Sequence, residues 1–220
     1  MENRVVRKYV LLFVSLFVNA FGIVFITKAA LGTSPISSVP YVLSLATAPS
    51  FGAYTFALNF LFMLIEMMLM GGREVRGKGA ELVWQVPVVV VFSLSIDLSM
   101  FLMKGYVPRS YWEMLLSLVI GCVILATGIG WAVKADVTMN PGEYLVSVIS
   151  KRYRHAFGNV KLCFDSSLVL ISLLLSFLFM RRIVGVREGT IISALLVGPT
   201  EKLLSPLWNV FDPWLRPTGK

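Results

Sequence analysis

The chain has 220 residues, of which 57% are hydrophobic and 15% charged, and its mean hydropathy is +0.80. This composition argues against a soluble domain and predicts an integral membrane protein, because apolar helices of roughly 20 residues cross ~30 Å of hydrocarbon. The net charge of +8 comes from basic residues in loops, where they orient helices and attract anionic headgroups. Nucleic-acid binding is therefore not expected.

The first half, residues 1–106, opens with a basic segment and an apolar run. We interpret the run Tyr9–Thr27 as a retained helix that begins in the cytoplasm, because it is too long for a signal peptide and has no small-residue cleavage site. A polar break, 28-KAALGTSP-35, and a short segment, Pro35–Thr47, follow. Two long predicted helices, separated by a basic loop, complete this half: Ala53–Met70 and Leu82–Met103.

The second half, residues 107–220, has the same order of segments. Its first helix, Tyr111–Val133, leads into a second polar break, 134-KADVTMNP-141, which begins 106 positions after the first. The remaining predicted helices are Pro141–Ser150, Asn159–Met180 and Gly189–Leu204. The tail, residues 205–220, is expected at the membrane interface.

The two halves align without a gap over Ala20–Ile65 and Ala126–Ile171. The matched positions include Gly22/Gly128, Lys28/Lys134, Pro35/Pro141, Ser44/Ser150, Phe51/Phe157 and Gly52/Gly158. Lys, Pro and Phe-Gly matches in one frame indicate two tandem repeats.

The short segments determine the predicted topology. Thirteen residues give about 20 Å of helix, which is too short to cross the membrane alone, and Pro40 makes a lipid-facing span still less favourable. If these segments enter and leave on one side, each repeat has three spans plus a short broken helix, and the repeats are inverted. The positive-inside rule favours this arrangement over a parallel one. The predicted fold is thus an all-α polytopic membrane protein.

Each polar break ends with a helix-start signal: Ser34 precedes Pro35, and Asn140 precedes Pro141. The free N–H groups at such a helix start attract anions, and paired broken helices near the membrane midplane form the binding sites of many secondary transporters. These four residues are therefore predicted to contact a ligand. The alternative is that they cap helices at the protein surface.

Three further polar residues are predicted at the same site. Glu143 lies in the first turn of its short helix, where it opposes an anion and suits a cation, a zwitterion or a proton. Asp165 lies deep in an apolar helix, with Asn59 at the matching position. The alternative for Asp165 is a structural ion pair with Lys134 or Lys161.

Lys28, Lys134 and Asp97 are predicted to be either ion-pair partners or ligand contacts, with Asp97 as a partner for Lys28; snorkelling to the interface is the simpler explanation for both lysines. Cys122 and Cys163 are expected to be buried free thiols. A stripe of small residues suits close helix packing or, alternatively, a homodimer seam. It consists of Gly121, Ala126, Gly128 and Gly130.

Catalytic and metal-binding motifs are absent from the sequence, whose single histidine, His155, lies in a basic loop. No enzymatic activity, metal or cofactor is expected.

The first break with its following residues, "KAALGTSPIS", the "FG" pair and the late segment "GVREGTIISALLVGP" resemble the YitT/YczE group of bacterial integral membrane proteins. The second break departs from the group's pattern at Val137 and Thr138. The resemblance implies a protein of the bacterial cytoplasmic membrane and does not imply a substrate.

The functional hypothesis is a small-solute transporter or permease with a midplane site between the repeats. Its partners would be a small polar or charged solute and the lipid bilayer, with Asp165 or Glu143 as the residue for proton coupling. Two alternatives remain: a membrane scaffold or regulator of a partner enzyme, and a substrate-capturing subunit of a larger importer.

Overall fold

The computed structural model describes residues 2–77 and 79–215, and within these ranges the chain is helical with no strand. The longer helices are α1 (Glu2–Lys28), α2 (Pro35–Ala46), α3 (Phe51–Gly77), α4 (Gly79–Leu102), α5 (Tyr111–Ala135), α6 (Pro141–Tyr153), α7 (Phe157–Met180) and α8 (Glu188–Leu204). A 3-10 helix, Ser205–Phe211, and the short α9, Asp212–Leu215, form the tail, whose last five residues lie outside the described part. The predicted all-α polytopic membrane fold is confirmed.

Five helices in the described ranges are long and apolar enough to cross a membrane. They contain the segments Val5–Lys28, Phe51–Gly71, Leu82–Leu102, Tyr111–Ala135 and Phe157–Met180. The sixth predicted span is α8, which has 17 residues and contains Pro199. At 1.5 Å per residue it is about 25 Å long, slightly short of the hydrocarbon thickness. Helices α2 and α6 have 12 and 13 residues and are short, as predicted.

Helix α1 forms the centre of the bundle, where it packs along α5 and α4. Its inward-facing side chains, among them Leu12, Ala20 and Val24, are almost completely buried. Helix α7 is the most peripheral of the five spans, with only 17% of its apolar window buried. An apolar surface of this kind is expected to face lipid.

The contact between α1 and α5 is a close antiparallel crossing. A Cβ atom on Gly22 would lie 2.5 Å from the backbone nitrogen of Leu125, and a Cβ on Gly128 would lie 2.5 Å from the backbone nitrogen of Asn19. Gly128 is 106 positions after Gly22, and Leu125 is 106 positions after Asn19. The same contact therefore occurs twice with the roles of the two helices exchanged, which is the pattern of a two-fold axis.

A third glycine extends this crossing. A Cβ on Gly121 would lie 2.8 Å from the backbone nitrogen of Ile26. Along the crossing, the residue numbers on α5 therefore decrease as those on α1 increase, as expected for antiparallel helices. Gly130 is covered instead by the ring of Trp208. The glycines of the small-residue stripe are therefore used in contacts within the chain.

The other helix contacts follow the same exchange of α1–α4 with α5–α8. Helix α2 packs on α7 and α6 on α3; α1 packs on α4 and α5 on α8; α2 packs on α3 and α6 on α7. Two contacts have no comparable counterpart. The larger is that of α3 along α4, which α7 and α8 do not repeat, and the smaller is that of α2 with α8, which α6 and α4 do not repeat. The larger difference leaves a gap between α7 and α8.

Candidate functional site

The first polar break turns at two residues with positive φ, Ala30 (61°) and Gly32 (119°). The second value is readily adopted only by glycine, and a Cβ on Gly32 would also collide with the hydroxyl of Thr190. The carbonyl of Leu31 accepts a hydrogen bond of 2.8 Å from the backbone N–H of Gly189. The break therefore packs against the first turn of α8.

The second break begins with the same turn. Asp136, at the position equivalent to Ala30, has φ 49° and ends α5 in the left-handed conformation. Its carboxylate lies 3.1 Å from the ammonium nitrogen of Lys8, near the start of α1. Among the described residues, Thr138 does not share the positive φ of its counterpart Gly32. The two breaks thus begin alike and diverge where their sequences differ.

Helix α2 begins at Pro35 and α6 at Pro141, as the sequence predicts. Ser34 and Asn140 occupy the N-cap positions, but neither side chain accepts a hydrogen bond from its own helix. The Ser34 hydroxyl instead donates to the hydroxyl of Ser37 at 3.0 Å. The first backbone N–H groups of both helices therefore lack side-chain caps.

A cavity of about 590 Å³ lies between helices α1–α4 of the first half and helices α5–α8 of the second half. It is lined from both halves of the chain and is bounded by α7 and α8, where the gap occurs. Six of the seven predicted ligand-binding residues line it: Ser34, Pro35, Asn59, Asn140, Glu143 and Asp165. The seventh, Pro141, is buried at the start of α6 and is not part of the lining.

The charged residues of the lining all come from the second half of the chain. They are Glu143 on α6, Lys161 and Asp165 on α7, and Glu201 on α8. The ammonium nitrogen of Lys161 lies 3.1 Å from a carboxylate oxygen of Asp165, so Asp165 forms the second of the two ion pairs considered from the sequence. Lys161, Asp165 and Glu201 are all close enough to act electrostatically on Glu143.

The first half contributes neutral polar groups, including Ser37 and Thr55. The amide nitrogen of Asn59 donates to the carbonyl of Thr55 at 2.9 Å. Asn19, on α1, is only 4% exposed and lines the cavity, and its carboxamide makes no hydrogen bond within the described part of the chain. The equivalent position on α5 is Leu125, so this polar group has no counterpart in the other half.

A second cavity of about 340 Å³ adjoins the first. The two linings share the polar residues Asn19, Asn140 and Glu143 and the apolar residues Ile129, Val133 and Met139. The second lining also contains Asp136 and Lys151. The shared residues therefore lie where the two cavities meet.

The residues predicted as ion-pair partners or ligand contacts lie outside the main lining. Lys134 binds the tail through Asp212 at 2.8 Å and Asn209 at 2.9 Å. Lys28 is half-buried at the end of α1. Because Lys134 joins the end of α5 to the tail through these two contacts, it has a structural role here.

The expected pairing of Asp97 with Lys28 is not formed among the described residues. The Asp97 carboxylate instead accepts hydrogen bonds from the backbone N–H of Gly52 at 2.7 Å and from the Ser50 hydroxyl at 2.6 Å. Asp97 therefore caps the start of α3 from α4, a role that a lone acidic residue in an apolar helix does not reveal in the sequence.

The two cysteines were predicted to be free and buried, and the prediction is wrong only for the burial of Cys163. Both are free, but Cys122 is buried and Cys163 is exposed, because α7 lies at the edge of the bundle. The described residues contain no group of three or more His, Cys, Asp or Glu side chains placed to hold a metal ion.

The helices and the cavity define the class: a multi-pass α-helical membrane protein with a largely apolar cavity that contains charged side chains. The chain belongs to a family of unknown function, DUF6198, whose sequence model matches residues 6–206. Comparison with curated proteins and with solved structures gives no match.

Proposed function

We propose that this protein is a small-solute transporter of the bacterial cytoplasmic membrane that binds its substrate between two inverted repeats, residues 1–106 and 107–220. The observation that carries the proposal is the largest break in the two-fold pattern of helix contacts: α3 packs on α4, but α7 and α8 make no comparable contact, and the cavity lies between them. The motifs of the polar breaks further suggest kinship between this family and the YitT/YczE group.

Inverted topology is supported by the antiparallel crossing of α1 and α5. A two-fold axis that relates antiparallel helices is perpendicular to them, so it lies in the membrane plane when they span the bilayer. The ends of α1 agree with this: Lys8 near its start pairs with Asp136 at the end of α5, while Leu31 beyond its end bonds to Gly189. With the N-terminus in the cytoplasm, the first contact is cytoplasmic and the second is external.

The duplicated Phe-Gly pair gives a local view of the asymmetry. In the first repeat, Phe51 is 3% exposed, and a Cβ on Gly52 would collide with the backbone of Ser93 on α4. In the second repeat, Phe157 is 47% exposed, and a Cβ on Gly158 would meet no atom within 4 Å. The same motif is docked in one repeat and undocked in the other.

Transport would follow from exchanging these two arrangements, because repeats of similar sequence can adopt each other's conformation. In the alternate state, the start of α7 would dock on α8 while the start of α3 leaves α4. Asp97 caps the N–H of Gly52 in the present state. Glu201 is the carboxylate of α8 in the cavity lining, and we assign it the corresponding role toward Gly158.

Spin-label distances between the helix pairs test this mechanism. Labels would be placed at exposed positions in a background without native cysteines: Leu162 and Leu195 on α7 and α8, and Leu61 and Leu94 on α3 and α4. Transport predicts two distance populations in each pair, with the α7–α8 distance shortening in the state in which the α3–α4 distance lengthens. Single, invariant distances in both pairs, in every ligand condition, would contradict the proposal and favour a scaffold.

A further inference from the structure

The cavity has an excess of negative charge. Its lining contains three carboxylates, Glu143, Asp165 and Glu201, against one ammonium group, Lys161. Lys161 is already paired with Asp165, and neither of the other two carboxylates has an ion-pair partner within the described part of the chain. Since an isolated charge in a low-dielectric site is costly, a bound positive charge would stabilise this arrangement.

A second observation points to a ligand independently of the acidic groups. Asn19 is more than nine-tenths buried, lines the cavity and has no hydrogen-bond partner within the described residues. Buried carboxamides are normally satisfied. Its backbone packs against Gly128 at the α1–α5 crossing, and a polar occupant of the cavity would complete the hydrogen bonds of its side chain.

The rest of the lining determines the kind of cation. Cavities of roughly 300–1,000 Å³ suit small organic molecules, and this one has a volume of about 590 Å³. Its apolar part includes the rings of Phe62, Phe92 and Phe157, whose faces attract organic cations. The absence of a metal-binding cluster among the described residues argues for an organic ligand over a divalent ion.

We infer that the cavity binds an organic amine, with its ammonium group in the acidic part of the cavity, which Glu143, Asp165 and Glu201 line, and its apolar body against the phenylalanine rings. The inference rests on the proposed function for the location of the site. An anion is disfavoured because Glu143 occupies the first turn of α6, where it neutralises the positive end of that helix. The amine is either a free solute or the headgroup of an aminolipid that enters through the α7–α8 gap.

The test measures binding to the full-length protein in nanodiscs made of phosphatidylglycerol alone. The probes are 2-phenylethylammonium, 2-phenylethanol and 3-phenylpropanoate, which share an apolar body and differ in charge. The amine is expected to bind at least about tenfold more tightly than either of the other two, a difference of the size that charge-assisted hydrogen bonds produce. A parallel sample with added phosphatidylethanolamine distinguishes an aminolipid ligand from a free amine. If the ligand is the lipid headgroup, native mass spectrometry should detect retained phosphatidylethanolamine, and the apparent affinity for the amine should fall.

Glu201→Gln is expected to weaken amine binding by about tenfold or more. The matched control is Glu188→Gln, on the same helix, because Glu188 pairs with Arg187 outside the cavity; it should leave binding unchanged. Asn19→Leu, which introduces the residue of the equivalent position, should also weaken binding. Variants are compared only when their thermal unfolding shows a folded protein.

Equal or tighter binding of the carboxylate would overturn the assignment, and so would failure of the amine to bind the folded wild-type protein at millimolar concentration in both lipid compositions. Equal losses in Glu201→Gln and Glu188→Gln would overturn the location. Uptake into proteoliposomes separates this inference from the proposed function. Amine binding without uptake refutes transport but leaves the amine site intact. Uptake of anions without amine binding supports transport and refutes the amine site.

Discussion

The glycine at the centre of the α1–α5 crossing offers a quantitative prediction. In Gly128→Ala, the new Cβ would lie 2.5 Å from the backbone nitrogen of Asn19, whereas ordinary contact begins at 3.4 Å. The two backbones must therefore separate by roughly 0.9 Å, the difference between these distances, since no flexible side chain can move aside. Overpacking of this kind costs about 1–3 kcal/mol of unfolding free energy.

The two-fold relation makes this prediction sharper. A Cβ on Gly22 would approach the backbone of Leu125 to the same distance, so Gly22→Ala should cost the same amount as Gly128→Ala. The matched control is Gly158→Ala, because a Cβ there meets nothing within 4 Å. Alanine is the better helix former by up to about 1 kcal/mol, so the control should be neutral or stabilising.

Equilibrium unfolding in detergent, followed by circular dichroism, measures all three variants. Gly22→Ala and Gly128→Ala should lower the unfolding free energy by similar amounts while Gly158→Ala does not. Unfolding free energies that are the same in all three variants would refute the close crossing, and a large difference between the first two would refute its two-fold character.

Three further outcomes follow from the site and its supports. Asp97→Ala removes the acceptor for the Gly52 N–H. The substitution should lower the unfolding free energy by about 0.5–2 kcal/mol and lengthen the α3–α4 spin-label distance. An unchanged distance would contradict the role of Asp97 in holding the start of α3 on α4. Asp165→Asn and Glu143→Gln should each abolish or uncouple uptake into proteoliposomes, and normal uptake in both would remove these residues from the mechanism. Lys134→Met breaks the contacts that hold the tail. Because the ion pair is partly exposed, the global unfolding free energy should change by less than about 1 kcal/mol, while proteolysis of the tail should become faster. An unchanged cleavage rate would show that other contacts hold the tail.

The helices and the starts of the short helices were predictable because their signals are local. Proline fixes φ and lacks an N–H, so Pro35 and Pro141 mark helix starts whatever surrounds them. Of the six predicted residues in the cavity, Ser34, Pro35 and Asn140 were found from the helix-start signals and Glu143 from its place in the first turn of α6. Asp165 and Asn59 were found because polar groups deep in apolar segments are costly and rare. The sequence predicts α8 as a span less clearly, since its 17 residues are close to the minimum length of a membrane-spanning helix.

The remaining features depend on tertiary contacts. Asn19 escaped notice because a single carboxamide in an apolar run, opposite Leu125 in the other repeat, carries no repeat signal. Glu201 lies near a helix end, where snorkelling to the interface is the usual interpretation. Asp97 looked like a partner for Lys28, but its capping of Gly52 requires α4 to lie beside the start of α3. No local sequence pattern predicts that α7 and α8 lack the contact that α3 and α4 make, because it depends on how helices from both halves pack together.

Side-specific thiol labelling tests inverted repeats most directly. Single cysteines would replace Ala48 and His155, both exposed, in the equivalent loops after α2 and α6. With native cysteines removed, a membrane-impermeant maleimide added to intact spheroplasts should label the cysteine at position 48 and reach the one at position 155 only after permeabilisation. Labelling of both positions from the same side would contradict the inverted arrangement and, with it, the proposed exchange of conformations between the repeats.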